Sequence, residues 1–200
     1  MKQKKYRDIL TKYIPEQAIE GVLELFNKYP CNLKITRERI TKQGDFRILK
    51  NGQPQISVNH NLNKYSFLLT LIHEIAHLVT HTKYKKAKPH GIEWKNEFKY
   101  MMLPFINNFV FPNDLLPYLA QYFINPKAAT GSDIQLAIAL KKYDAPSNKV
   151  AIYELATGTE FILNKKEFIL GEKRRTRYKC IEKRSKKTYL IHQNAEVITT

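Results

Sequence analysis

Two cysteines, Cys31 and Cys180, are all that the 200 residues contain, and they stand far apart. A disulfide framework, or a zinc site built from four cysteines of one chain, is thereby excluded. No apolar run approaches the roughly 20 residues that a helix needs to cross a bilayer; the longest, around Phe67–Ile72 and Phe105–Phe111, are far shorter. The opening Met1-Lys-Gln-Lys-Lys-Tyr-Arg-Asp carries positive charge with no apolar segment behind it, which argues against a secretory signal. Internal repeats and low-complexity segments are also absent. These absences lead to the expectation of a cytoplasmic chain with no membrane partner. Acidic residues are scarce as well, 18 Asp and Glu against 34 Lys and Arg, for a net charge of +16. With 43% apolar and 12% aromatic content the chain can fill a core, so the basic excess belongs on a folded surface. Such a surface favours polyanions, nucleic acid first.

Hydrophobic spacing divides the chain into elements. Ala18, Ile19, Val22, Leu23 and Phe26 recur at helical period behind Pro15, predicting a first helix near 15–28 that Tyr29-Pro30 ends. Leu33 and Ile35, Phe46 and Ile48, then Ile56 and Val58 alternate with period two, and Gly44 and Asn51-Gly52 stand between them as turn signals. A short antiparallel meander is expected there. Residues 64–82 read as a second helix, apolar nearly all round and therefore buried. Trp94, Phe98 and Met101 mark a helix over 91–102, Asn113-Asp114 opens another through Phe123, and Ser132-Asp133 one through Lys142. Beyond Ala145-Pro146 the pattern turns to short strands at 150–155, 160–163, 168–170, 175–181, 189–191 and 197–198. The expected organisation is a helical and sheet domain over 1–145 and a β-rich module over 146–200. The second is small enough that its independent stability needs a metal or docking.

The chemistry lies in the buried helix. His73-Glu74-Ile75-Ala76-His77 places two imidazoles one turn apart on one face, with Glu74 beside them. Zinc suits such ligands, and with three protein ligands it keeps a fourth position for water. With six His in the chain, a chance match to this motif is expected on the order of 0.01 times. Burying two imidazoles and a carboxylate without a common partner would also be costly. A metzincin would need glycine and histidine where Thr80 and Lys83 stand, so that arrangement fails. The third ligand is left to a helical glutamate, Glu93 or Glu97, or to His90, which opens His90-Gly91-Ile92-Glu93-Trp94-Lys95. His81 continues the spacing from His77, but a fourth histidine would close the site. His60 and His192 have no visible partner.

His73-Glu-Ile-Ala-His77 followed by His90-Gly-x-x-Trp94-Lys95 resembles the SprT-like metalloproteases. The resemblance implies a zincin-type α+β domain, one catalytic Zn2+ held by His73, His77 and His90, and Glu74 as general base in peptide hydrolysis. It further implies a protease stimulated by DNA that degrades proteins trapped on it. The last part of the chain is similar to the zinc-ribbon tail of such proteins, but Glu182 and Lys183 follow Cys180 where a second cysteine would stand. The expected module is ribbon-like, lacks its metal ligands and folds by packing.

Two basic clusters serve the expected DNA contact. Lys83, Lys85, Lys86 and Lys88 lie between the second and third candidate ligands. In the tail, nine of the residues from Lys173 to Lys187 are Lys or Arg and one, Glu182, is acidic. On a strand Arg175, Arg177 and Lys179 would share a face while Tyr178 and Cys180 point to the other, with Arg174 in the same cluster and Tyr189 or Tyr178 available for stacking on bases. The sequence therefore reads as a zinc-dependent, DNA-associated metalloprotease acting on DNA-bound or crosslinked proteins, with single-stranded or distorted DNA as partner. Two further readings are a non-proteolytic DNA-binding or regulatory protein that retains the zinc site, which the intact Glu74 opposes, and a zinc hydrolase of small molecules, for which no substrate pocket is legible.

Overall fold

The computed structural model describes residues 2–39, 42–128 and 133–199. The architecture is α+β, in two compact units, Met1–Asp144 and Ala145–Thr200. No helix among the described residues is long and apolar enough to cross a membrane.

The first unit opens with a helix that the apolar spacing did not announce, α1 (Lys2–Tyr13). Its buried stripe is narrow, Tyr6 and Leu10 continued by Ile14, and the surrounding lysines hide it from a composition reading. Tyr6 packs on Phe26, and Tyr13 stacks on Phe67 with ring centroids 5.0 Å apart in each pair. The expected helix near 15–28 is a short 3₁₀ turn (Glu16–Ala18) leading into α2 (Ile19–Lys28).

Strands β1 (Asn32–Thr36), β2 (Gly44–Ile48) and β3 (Pro54–Asn59) form a sheet in the order β1-β3-β2. The expected meander is therefore corrected. β3 lies in the middle, parallel to β1 (Leu33↔Ile56) and antiparallel to β2 (Phe46↔Ile56). Alternation identifies strands and faces but not their order; Ile56 and Val58, both fully buried, draw β3 to the centre. Gly44, read as a turn residue, is the first residue of β2. The β1–β2 connection is held against the sheet by Arg39, whose Nε donates to Asn59 Oδ1 at 2.8 Å and whose Nη1 donates to Ser57 Oγ at 3.0 Å.

Helix α3 (Lys64–Lys83) starts at Asn63, whose side chain accepts from the Tyr65 and Ser66 N–H groups. The same amide donates to Leu140 O and Asp144 Oδ1, tying the helix start to the end of the unit. Helices α4 (Ile92–Met102), α5 (Leu116–Ile124) and α6 (Ile134–Lys141) complete it. Asp133 caps α6 by accepting from Leu136 N, whereas Ser132 lies outside the described residues. Asp114 does not cap α5, because its carboxylate accepts the Tyr143 hydroxyl at 2.6 Å.

The second unit is a sheet of β4 (Val150–Ala151), β5 (Glu160–Leu163), β6 (Lys166–Arg174), β7 (Arg177–Glu182), β8 (Thr188–His192) and β9 (Glu196–Thr199), in the order β4-β9-β5-β6-β7-β8. Its own core gathers Ile152, Phe161, Phe168, Leu170, Cys180 and Val197. Cys180 is thus a packed apolar residue. Asn164 and Lys165, both at positive φ, make the two-residue turn between β5 and β6.

Candidate metal centre

Helix α3 passes between the sheet on one side and α4 on the other, which leaves even its polar residues little solvent: Glu74 is 7% exposed and Thr70 5%. One turn of this helix separates His73 from His77. His90 arrives from the connection to α4 with a backbone φ of 56°, a left-handed conformation that costs a non-glycine residue about 1–2 kcal/mol. The next residue, Gly91, starts α4; a methyl on its Cα would lie 2.9 Å from Lys88 O, so the turn that delivers His90 leaves no room for a side chain.

Together these elements bring three ring nitrogens to one point. The Nε2 separations are 3.2 Å for His73–His77, 2.9 Å for His77–His90 and 3.3 Å for His73–His90. Tetrahedral zinc with nitrogen at about 2.0–2.1 Å spaces its ligands by about 3.3 Å, so the triangle fits such an ion to within about half an ångström. Among the described residues this is the one group of His, Cys, Asp and Glu gathered closely enough to hold a metal. Ligation needs neutral imidazole. Burial, then the neighbouring imidazoles, lowers the His73 pKa to about 3, and burial with His90 lowers that of His77 to about 4. His90 is also lowered by burial. The donor set suits zinc and other first-row ions that favour imidazole.

Trp94 is the residue on which the three rings rest. Fully buried, its ring centroid lies 4.6 Å from His73, 5.3 Å from His77 and 4.7 Å from His90, and its Nε1–H donates to the His73 carbonyl at 3.4 Å. The sequence places Trp94 near His90 through the H-G-x-x-W spacing; its contact with all three rings follows from α4 crossing α3. Phe98 closes on His73 at 5.5 Å.

Glu74 projects towards β2. Burial foremost, then Asp45, raises its pKa to about 8, against the lowering effect of Arg39, Lys42 and a hydrogen bond from the Phe46 backbone N–H. A divalent cation beside it would favour the ionised carboxylate. Sequence spacing gave no sign of Gly44, Phe46 or Arg39 here, since they arrive through the sheet.

The other expected residues fall outside this cluster. Glu97, one of the open choices for third ligand, is 8% exposed and taken up by Lys83, whose Nζ lies 2.8 and 3.0 Å from its oxygens, and by the Tyr84 hydroxyl. Lys83 is therefore an ion-pair partner binding the end of α3 to α4, while Lys85, Lys86 and Lys88 are exposed. Lys95 donates to Asn125 Oδ1 at 2.7 Å. His81 packs on Phe46, with ring centroids 5.8 Å apart. In the second unit Arg174, Arg175, Arg177 and Lys179 are all exposed, but Arg175 lies in a turn at φ 53° and not on β7. Strand alternation leaves Arg177 and Lys179 on one face with Ile181. Tyr178 lies on the opposite face, as alternation predicts, and the pairing of Cys180 with Tyr189 puts Tyr189 there too, so both aromatics face away from the cations.

Residues 20–108 match the model of the SprT-like family. No curated protein and no solved structure matches the chain.

Proposed function

Residues 20–108 belong to the SprT-like family, and from that premise we propose that the protein is a zinc-dependent, DNA-associated metalloprotease. Its substrates are protein chains bound or crosslinked to DNA, and its domain is of zincin type. The observation that carries the reading is the convergence of the His73, His77 and His90 Nε2 atoms, two of them from the helix that also carries the buried Glu74. His73, His77 and His90 hold the ion. Zinc held there would supply a Lewis acid for a peptide carbonyl and would lower the pKa of a water to about 7. Glu74 takes the proton of the attacking water on its carboxylate and returns it to the leaving amine nitrogen.

The sheet presents the substrate side. Asn59 N donates to Gln43 O and Leu49 N to Gln53 O, so Gln43, Asp45, Arg47 and Leu49 are the hydrogen-bonded positions facing β3. The backbone groups of Gly44 and Ile48 and the Phe46 carbonyl then point away from β3 along an edge strand, where an extended chain can add by backbone hydrogen bonds. Recognition through backbone fits a protease with little sequence preference.

Charge supports the DNA partner. A net +16 with exposed Lys85, Lys86 and Lys88 beside the His90 turn, and Arg174, Arg175, Arg177 and Lys179 on the second unit, suits phosphate contact. The test is cleavage of a basic protein with and without single-stranded DNA, comparing wild type with Glu74→Gln. Wild type should contain about one zinc per chain and respond to DNA. Glu74→Gln should keep its metal and lose cleavage. Cleavage by the variant at the wild-type rate would remove the assigned base, and a metal-free protein after chelator-free purification would remove the zinc. DNA affinity without any cleavage would favour the regulatory alternative.

A further inference from the structure

Gly44 needs no unusual backbone conformation, since its φ lies outside the left-handed region. What its position forbids is a side chain. A methyl group on its Cα would lie 2.5 Å from Glu74 Oε1, 2.8 Å from Glu74 Cγ and 2.7 Å from Thr70 Cγ2. Carbon atoms pack at about 3.5–4.0 Å, so something must move.

Neither side of this contact retreats easily. On the helix, Thr70 is held by its hydroxyl, which donates to Ser66 O at 2.8 Å, and Glu74 is buried. On the sheet, the residue before Gly44 is pinned twice: Gln43 O accepts from Asn59 N at 2.9 Å and from Arg39 Nη2 at 3.3 Å. Asn59 in turn donates from Nδ2 to Lys42 O at 3.0 Å. Strand and helix are thus clamped on both flanks of a gap that only glycine leaves open. The Glu74 side chain occupies that gap.

We propose that Gly44 is a positioning residue for Glu74: its missing side chain is the slot that lets the carboxylate lie against the start of β2. The assignment rests on Glu74 being the base. A side chain at 44 displaces the carboxylate by the order of an ångström, and a misplacement of that size costs about a hundredfold in rate.

The experiment uses the full chain with Gly44→Ala, Glu74→Ala and the double variant. Melting temperatures are measured in chelator, so that metal occupancy does not enter. In the wild-type background Gly44→Ala should lower the melting temperature by about 3–6 °C. In the Glu74→Ala background both Glu74 contacts are gone and only the Thr70 Cγ2 contact at 2.7 Å remains, so the same change should lower the melting temperature by clearly less. If Gly44→Ala alone does not fold, a double variant that folds supports the proposal equally. Equal shifts in both backgrounds would overturn it. With metal and DNA present, Gly44→Ala should cleave a basic protein with kcat reduced about a hundredfold and KM within about twofold, with full metal content. A wild-type kcat for Gly44→Ala, where Glu74→Gln is inactive, overturns the positioning role alone; wild-type cleavage by Glu74→Gln overturns the base and the positioning role with it.

Discussion

Replacing Trp94 by phenylalanine separates packing of the core from support of the three imidazoles. Trp94 is fully buried, and truncation to alanine would cost about 3–5 kcal/mol. Phenylalanine keeps a ring but loses the indole donor and part of the volume. The Nε1–H bond to the His73 carbonyl is long, 3.4 Å, so its loss falls at the low end, about 0.5 kcal/mol. A cavity of roughly 40 Å³ at about 24 cal/mol per Å³ adds about 1 kcal/mol. Urea unfolding in chelator should therefore show a loss of about 1.5–2 kcal/mol, with an unchanged slope. Because the same ring lies against His73, His77 and His90, the metal should be held about tenfold more weakly, measured by competition with a chromophoric chelator. Lost stability with unchanged metal affinity would refute the supporting role. Unchanged stability would refute the packing itself.

Other outcomes follow from particular contacts. Lys83→Met leaves Glu97 in a buried position with one partner fewer; since the lysine side chain is 43% exposed, the expected loss is about 1–2 kcal/mol in chemical unfolding. Neutralising Lys85, Lys86 and Lys88 together should leave stability within about 0.5 kcal/mol and flatten the salt dependence of DNA binding by up to about three phosphate contacts. An unaltered slope would remove that loop from the interface. Arg39→Met should destabilise by about 2 kcal/mol by releasing Asn59, Ser57 and Gln43 O, with bound zinc retained, since none of its partners is a candidate ligand. Tyr178→Leu should leave DNA affinity unchanged, whereas Arg177→Ser with Lys179→Ser should weaken it, because the ring and the cations face opposite ways.

The candidate site was legible because its chemistry is local. His73, Glu74 and His77 fall on one helix, and helical period alone places the two imidazoles together. The fold was less legible where pairing is long-range. Period two located β1, β2 and β3, yet their order depends on which strand fills the centre, and that is decided by the helices packed over Ile56 and Val58. The α1 stripe is hard to read from sequence because three buried positions among lysines resemble a charged terminus. Arg175 left the expected strand face because the β6–β7 turn takes it into the left-handed region.

By itself, the sequence determined the donor types, their spacing, the helix that carries two of them and the basic surface. Those depend on residue identity and on dihedral periodicity within a single element. Tertiary structure alone decided that Trp94 bears on all three rings, that Glu97 is spent on Lys83, that Tyr189 joins Tyr178 on the face away from the cations, and that Gly44 lies against Glu74. Each of those contacts joins elements that only the packed core brings together, so no local period encodes it.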